Sequence, residues 1–448
     1  MNPLETTAER SVPRLSAEAS ASLRKRWVFL MPAVFVTYSL AYLDRANYGF
    51  GAAAGMAATL KITDKEASLL SGLFFLGYLA FQLPGAAFAR KHSATRLICV
   101  ALIAWGAFAA LTGVIRLFWL LAVDRFLLGV AESVILPAML VLLTGWFTVA
   151  ERSRANTVLI LGNPVTVLWM SVITGYLIDG FGWQKTFVIE GLPSIAWALV
   201  WIALVSDRPA GARWMTREAA EHLEGVLAEE QALVQRLKGS VGVVRQALLR
   251  RDVLLLSVVY FCWSLGAYGF VLWLPTIVKE GSALAMGKVG LLSGVPYLFG
   301  IGMMVVVSQY SDKTRRREAV VWPFLLMGGV GLMGSFVLAQ RSFAAAFVCL
   351  VIGAAGIYAP YGPFFAIIPE RLPRSVAGEA MALINSCGAF GGFVGTYFVG
   401  FLRAVTGNSR AGFLLMSVAL ICSAVLLLFL PKVDSSDRVE AARIVHEV

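Results

Sequence analysis

Charge is what this chain has least of. Only 15% of its 448 residues are Asp, Glu, Lys or Arg, against roughly 25% in an average soluble domain, and so low a share excludes both a disordered chain and an ordinary water-soluble enzyme. Histidine is nearly missing: His92, His222 and His446 fall in polar connections or the tail. No imidazole therefore stands where a proton would cross an apolar layer, and a buried proton carrier has to be a carboxylate. The five cysteines, Cys99, Cys262, Cys349, Cys387 and Cys422, are far apart inside apolar stretches. That spacing offers neither a zinc site nor a disulfide framework, so their expected job is packing. No nucleophile, metal or cofactor constellation is visible, so neither an enzyme nor a cofactor is expected. The first 26 residues are polar, and the apolar run after them outlasts a signal peptide with no small-residue cleavage site behind it. No secretory peptide is expected to be removed.

What the chain has instead is apolar length: 58% of residues are hydrophobic, and 42 glycines and 16 prolines sit largely within long apolar runs. Membrane helices tolerate those residues where neighbours satisfy the backbone. Twelve runs are long enough for a bilayer core of about 30 Å, at approximately 27–57, 67–89, 97–115, 117–147, 155–178, 184–205, 253–278, 288–309, 319–340, 343–368, 376–402 and 411–431. A β-barrel is excluded, because its strands are about half that length and alternate in polarity. The expected fold is an all-α membrane protein of twelve transmembrane helices in two six-helix bundles. Lysines and arginines in the connections fall roughly three to one on the side that holds both termini, which places both termini in the cytoplasm. A net charge of +11 divided among short loops is a topology signal and forms no nucleic-acid patch.

The expected organisation is an N-terminal tail over 1–26, a first bundle over 27–205, a cytoplasmic linker over 206–252, a second bundle over 253–431 and a tail over 432–448. In the linker, Thr216 followed by Glu218 reads as a helix start, and Leu223, Val226, Leu227, Val234 and Leu237 recur on one face of a surface helix. The two bundles are equal in length and echo each other by position: Arg90 in one loop answers Lys313 in another, and Gly175 answers Gly395. Two bundles related by an axis along the membrane normal enclose a central cavity, the arrangement of an alternating-access carrier.

Four ionisable groups fall well inside apolar helices: Asp44 and Arg45 in the first, Arg125 and Glu132 in the fourth. Each costs at least about 2.5 kcal/mol at the bilayer centre unless paired or hydrated, so all four have to face the interior. Arg125 and Glu132 are nearly two turns apart on one face, about 10 Å along the axis, and can bracket a ligand or a water. Asp44 and Arg45 point about 100° apart, so they address different partners. The competing reading is that these groups form ion pairs that fix helix packing. Against it stands a second bundle with no comparable charge at depth. Asp124 is a weaker candidate, and Glu190, beside Gly191 and Pro193, is expected to be a structural cap or pair.

Polar and aromatic residues recur around the charges. Phe75, Tyr78 and Gln82 share a face of the second helix, and Asn163, Thr166 and Met170 share one of the fifth. Asn385 is the most polar residue of a glycine-rich eleventh helix whose glycines allow close packing. Tyr358, Tyr361, Phe364 and Phe365 flank Pro360 and Pro363 in the tenth, where a kinked aromatic segment can act as a gate. Asp312, with Lys313 and Arg315, can make charge-assisted bonds that lock one face in one state and break in another; positive-inside charge alone explains much of the same pattern.

Taken together, YLDRANYGF in the first helix, RFLLGVAESVILPAMLVLLTGWFTVAERSRA from the fourth onward, GWQKTFVIEGLP and ALINSCGAFGGFVGTYFVG make the chain similar to the major facilitator superfamily. Within it, the chain resembles the anion:cation symporters that carry sugar acids, tartrate, phthalate and related anions. That resemblance implies coupling and substrate-binding roles for Asp44, Arg45, Arg125 and Glu132, and substrate contacts from Tyr42, Tyr78, Asn163 and Asn385. It also shows departures: Ala89 stands where an aspartate is common and Ser93 where glycine is frequent, so a cytoplasmic lock leans on Asp312. The fifth helix lacks the GPxxGG-type signature of proton-driven drug exporters.

The expectation is a monomeric carrier in a bacterial inner membrane that takes up a small organic anion with protons, most simply a hexonate, hexuronate or tartrate-like acid. Asp44 and Glu132 carry protons, and Arg45 and Arg125 hold the carboxylate. An aromatic carboxylate such as hydroxyphenylacetate or phthalate is the alternative cargo, suited to Phe364 and Phe365. A non-transporting membrane sensor is a further alternative, for which no appended domain is visible.

Overall fold

The structure is a computed structural model and describes residues 16–237, 248–314, 316–372, 374–407 and 410–431. It contains helices and no strands among these residues. In chain order they are α1 (Ala17–Ala53), α2 (Met56–Leu60), α3 (Asp64–Lys91), α4 (Ala94–Thr112), α5 (Phe118–Ser133), α6 (Ile135–Thr144), α7 (Val149–Leu204), α8 (Arg217–Leu237), α9 (Arg251–Ser282), α10 (Met286–Thr314), α11 (Arg317–Leu338), α12 (Phe343–Tyr358), α13 (Tyr361–Arg371), α14 (Arg374–Thr406) and α15 (Arg410–Leu428).

Ten stretches have the length and hydropathy to cross a membrane. The long α7 supplies two spans, because Gly182 turns the chain within it at φ 77°, ψ 162°, a left-handed conformation that glycine adopts at little cost. The 28-residue α3 adds another, less apolar span; at 1.5 Å per residue it is about 42 Å long. The fourth span is α5 and α6 meeting at Val134, since Pro137 withholds the amide that would bond back to Ser133. The tenth is α12 and α13, broken at Ala359 and Pro360 for the same reason.

Helix starts follow local chemistry. Thr63 and Glu66 form a capping box on α3, with the Thr63 amide donating to the Glu66 carboxylate at 2.8 Å. Ser93 caps α4 by accepting from the Arg96 amide at 3.0 Å. Contrary to the expected tail, α1 begins at Ala17, ahead of its apolar run, capped by Ser16. The linker helix is present as α8, with Leu223 and Leu227 buried; the side chains of Val234 and Leu237 lie outside the described residues. The linker is pinned to the first bundle: Trp214 stacks on Phe29 and Trp146, the Thr216 amide donates to Ser22 Oγ, and Arg152 pairs with Glu230.

Pairings repeat between the halves, as a pseudo-twofold requires. α1 packs on α7 as α9 packs on α14, and α4 on α7 as α11 on α15; across the halves, α7 meets α10 as α14 meets α3. The first and last described residues lie at one face, the terminal face; the other is the far face. The halves are sealed at the far face. Asp179 at the far end of the fifth span accepts from the amides of Met286 (2.8 Å) and Gly287 (2.7 Å) at the start of α10, and Arg403 of α14 reaches Asp64 of α3 at 3.6 Å. A Cβ on Gly290 would strike the Ser171 carbonyl oxygen, and one on Gly49 the Leu272 carbonyl, so backbones touch there. One turn nearer the terminal face the contact relaxes, with Leu168 O 3.3 Å from where a Gly294 Cβ would lie.

Candidate functional site

The cavity between the halves is lined by Tyr38 and Arg45 of α1, Phe75 and Tyr78 of α3, Leu136 of α6, Ile160 and Asn163 of α7, Tyr260 and Tyr268 of α9, Tyr361 and Phe365 of α13, and Asn385, Gly388 and Ala389 of α14. Its lining continues onto the terminal-side parts of α6, α7, α13 and α14, while the far side is closed, so its way out leads to the terminal face. It offers about 60 Å³ of space that water can occupy. Ligand pockets usually run to a few hundred Å³, so a ligand of ordinary size requires the halves to part further at that face.

Arg45 is the cation of this cavity. Its Nη2 donates to Glu132 Oε2 at 3.0 Å, and its guanidinium lies 4.5 Å from the ring centroid of Tyr78, 5.3 Å from that of Tyr42 and 5.4 Å from that of Phe74. Three ring faces and one carboxylate hold a weakly hydrated planar cation in place. The pair joins α1 to α5, and both members are buried, with side-chain exposures of 7% and 0%. Glu132 Oε1 and Arg45 Nε have no partner, which leaves capacity for a water or a ligand oxygen.

Arg125 does not reach the cavity, and it is Arg45, not Arg125, that holds Glu132. Its guanidinium lies over the rings of Tyr48 (4.6 Å) and Phe74 (5.3 Å), with Nε and Nη1 unpartnered. Asp44, only 1% exposed, has both carboxylate oxygens bare and lies within electrostatic range of Glu132, Glu190 and Arg125. The two neighbours in sequence thus face different surroundings, Arg45 the cavity and Asp44 the interior of the first bundle. Glu190 accepts from Asn47 Nδ2 at 3.1 Å and Thr174 Oγ1 at 2.5 Å, tying α1 to both halves of α7. Asp124 accepts from Thr112 at 2.7 Å. All three bonds tie helical segments together.

Of the other expected contacts, Tyr78, Asn163, Tyr361 and Asn385 line the cavity, whereas Tyr42 is buried behind it under Arg45. Tyr358 does not line it. It is packed between Tyr297 (5.7 Å) and Tyr361 (5.9 Å), just before the break in the tenth span, so Tyr361 is the member of that pair which lines the cavity. Gln82 and Thr166 are buried with an unpartnered oxygen each. At the terminal face, Asp312 bonds Arg317, which also holds Glu370 at 3.0 Å. Among the described residues that network lies within the second half and bridges to nothing in the first; Lys313 is exposed beside it, and Arg315 lies outside the described residues. Tyr38, Tyr260 and Tyr268 were not singled out by sequence. Their signal was present as aromatic stripes at helical spacing, Tyr38, Tyr42 and Arg45 on one helix and Tyr260, Ser264 and Tyr268 on the other.

Residues 34–396 match the pattern of the Major Facilitator Superfamily. Over 411 residues the chain is 31% identical to a quinolone resistance transporter of Acinetobacter baumannii, covering 89% of this chain and 92% of that protein. Over 430 residues it is 30% identical to a putative tartrate transporter of Agrobacterium vitis, covering 95% and 98%. Among solved structures, the xylose transporter XylE of E. coli in its inward open conformation superposes with a TM-score of 0.70 at 13% identity, covering 92% of this chain and 99% of that one. The match over most of the chain, relatives at this identity and the paired six-helix bundles agree: the chain belongs to the Major Facilitator Superfamily of membrane transporters.

Proposed function

We propose that this protein takes up a small organic carboxylate together with a proton, and that the cargo is a sugar acid of the hexonate, hexuronate or tartrate kind. The observation that carries this reading is the Arg45–Glu132 pair at 3.0 Å, in which Arg45 lines the cavity between the halves and Glu132 is buried behind it. With Glu132 ionised, its own carboxylate occupies the guanidinium that an incoming carboxylate needs. With Glu132 protonated, Arg45 is free to make charge-assisted bonds to the solute, and proton and anion favour the same loaded state. Asp44 and Arg125 form a second buried layer whose charges cancel, so an anion entering without a proton leaves the bundle with an unmatched negative charge. Asp44 is the second carboxylate able to take that proton.

The cavity supports a hydroxyl-bearing cargo. Five tyrosines and two asparagines line it, a set of donors and acceptors suited to hydroxyl groups, with ring faces to cover the carbon chain. The relative named a putative tartrate transporter points the same way. The aromatic faces of Phe75 and Phe365 favour a second reading, an aromatic carboxylate, and the relative named for quinolone resistance keeps it open. In this reading both termini are cytoplasmic and the structure is the inward-facing form in a bacterial inner membrane.

The test is uptake into proteoliposomes with and without an imposed proton gradient, using gluconate, galacturonate, tartrate and benzoate. Glu132→Gln is expected to abolish gradient-driven accumulation while keeping counterflow exchange. Accumulation at the normal level by that variant sinks the coupling role. Arg45→Gln should weaken carboxylate binding roughly 30- to 150-fold, because a charge-assisted contact contributes about 2–3 kcal/mol.

A further inference from the structure

A second cavity, larger than the central one, lies at the far face between the ends of α1, α3, α9 and α14, and so again between the two halves. Its volume is about 280 Å³, and Tyr48, Asp64, Trp273, Thr276, Lys279 and Arg403 are among its walls. Arg403 dominates it. The guanidinium donates to Glu280 of its own half at 2.7 Å, reaches Asp64 of the other half at only 3.6 Å, and lies 5.6 Å from the Trp273 ring centroid. On the same walls the Thr276 hydroxyl, on a residue only 6% exposed, has no partner, and neither has the buried Trp273 indole nitrogen. Buried polar atoms are normally bonded, so this bare hydroxyl and bare N–H, on walls shared with a guanidinium, supply a cradle for an acceptor carrying negative charge once those walls part.

Of the two carboxylates on Arg403, Glu280 keeps its 2.7 Å bond, and Asp64 is the one that can give way. Asp64 is 48% exposed at its side chain, its contact with Arg403 is long, and exposed ion pairs of this kind contribute little. Asp64 also sits in the first turn of α3, where the helix amino terminus stabilises its charge without Arg403. An entering anion can therefore replace it on Arg403 at small cost. Because Asp64 and Arg403 belong to different halves, that replacement removes one of the contacts that seal the far face.

We propose that the outer cavity is a first docking station for an organic carboxylate of the class the central cavity takes, and that the arriving carboxylate displaces Asp64 from Arg403 and so loosens the far-face seal. The identity of the carboxylate class rests on the function proposed above; the station itself rests on Arg403, Thr276 and Trp273.

Cysteine protection in the full chain, reconstituted in vesicles, tests it. Ala57→Cys, on the cavity wall, is labelled with a membrane-impermeant thiol reagent applied at the far face, with gluconate, tartrate or benzoate at millimolar concentration as the protecting probe. The expected result is labelling at least 5-fold slower with one of these anions, unchanged by Arg45→Gln in the central cavity. Protection should be lost with Arg403→Gln and several-fold weaker with Thr276→Val, which leaves every charge in place. Ala52→Cys, on the same wall, replaces Ala57→Cys if that variant does not fold. Absence of protection by all three anions, loss of protection with Arg45→Gln, or its survival in Arg403→Gln overturns the proposal. Proton-driven uptake without protection removes the station and leaves the carrier reading standing; protection without proton-driven uptake does the reverse.

Discussion

Asp44 and Arg125 are both buried, both short of hydrogen-bond partners, and close enough to feel each other's charge. Removing one leaves the other uncompensated in a medium that penalises it, whereas removing both restores neutrality. Arg125→Gln is therefore expected to lower the unfolding temperature, and Asp44→Asn in the same chain to recover part of the loss, with a coupling energy of about 1–3 kcal/mol in a double-mutant cycle. Strict additivity would show that the two charges do not balance one another. The chain sequence places all four charges inside helices, and the 100° between Asp44 and Arg45 shows that they face different ways. It does not say which arginine meets Glu132, since that depends on how α1 leans against α5, a distance of 87 positions along the chain.

Among the helices, the contact of α7 with α10 is the part most able to set the balance between open and closed far faces. Asp179 caps the amino terminus of α10 from the other half, at 2.8 and 2.7 Å, the work a residue of the same chain segment normally does. Its replacement by alanine should cost about 1 kcal/mol of that closure and so raise the far-open population about 5-fold. Distance measurements between spin labels at the far ends of α7 and α10 give the readout, and an unchanged distance distribution contradicts the gating role. Gly290→Leu acts harder: the new side chain meets the Ser171 backbone, so the far face cannot close and steady-state transport should fall at least 10-fold in a folded protein. Hydropathy located the spans, and Pro360 and Pro363 marked the break at Ala359, whereas the break at Val134 was not foreseen. Neither reveals Asp179 as a cap, because its partner amides lie more than 100 positions away.

The whole molecule is two similar halves, with the chain that links them anchored to the first. Ser16, which opens α1, donates from its amide and hydroxyl to Glu218 of α8 at 3.0 and 2.7 Å. These bonds, the side-chain one foremost, hold the Glu218 carboxyl below the usual glutamate range. A carboxyl depressed in the folded state stabilises above its unfolded pKa and loses that contribution as pH falls through the folded value. Hydrogen-exchange protection of the Ser16 amide is thus expected to persist at pH 5, to fail only below the ordinary carboxylate range, and to be missing at all pH values in Glu218→Ala. Protection that fades between pH 6 and 5 would exclude this latch.

Sequence alone determined whatever follows from local composition. Apolar length dictates twelve spans, and a proline or a capping serine acts within a few residues of itself. Tertiary structure decided the rest, because a cavity wall is drawn from helices distant in the chain and a side chain's partner is whichever one packing brings opposite. That is why Arg45, and not Arg125, lines the cavity and holds Glu132, why Tyr260 and Tyr268 join it from the other half, and why an arginine late in the chain meets an aspartate near its beginning at the far face.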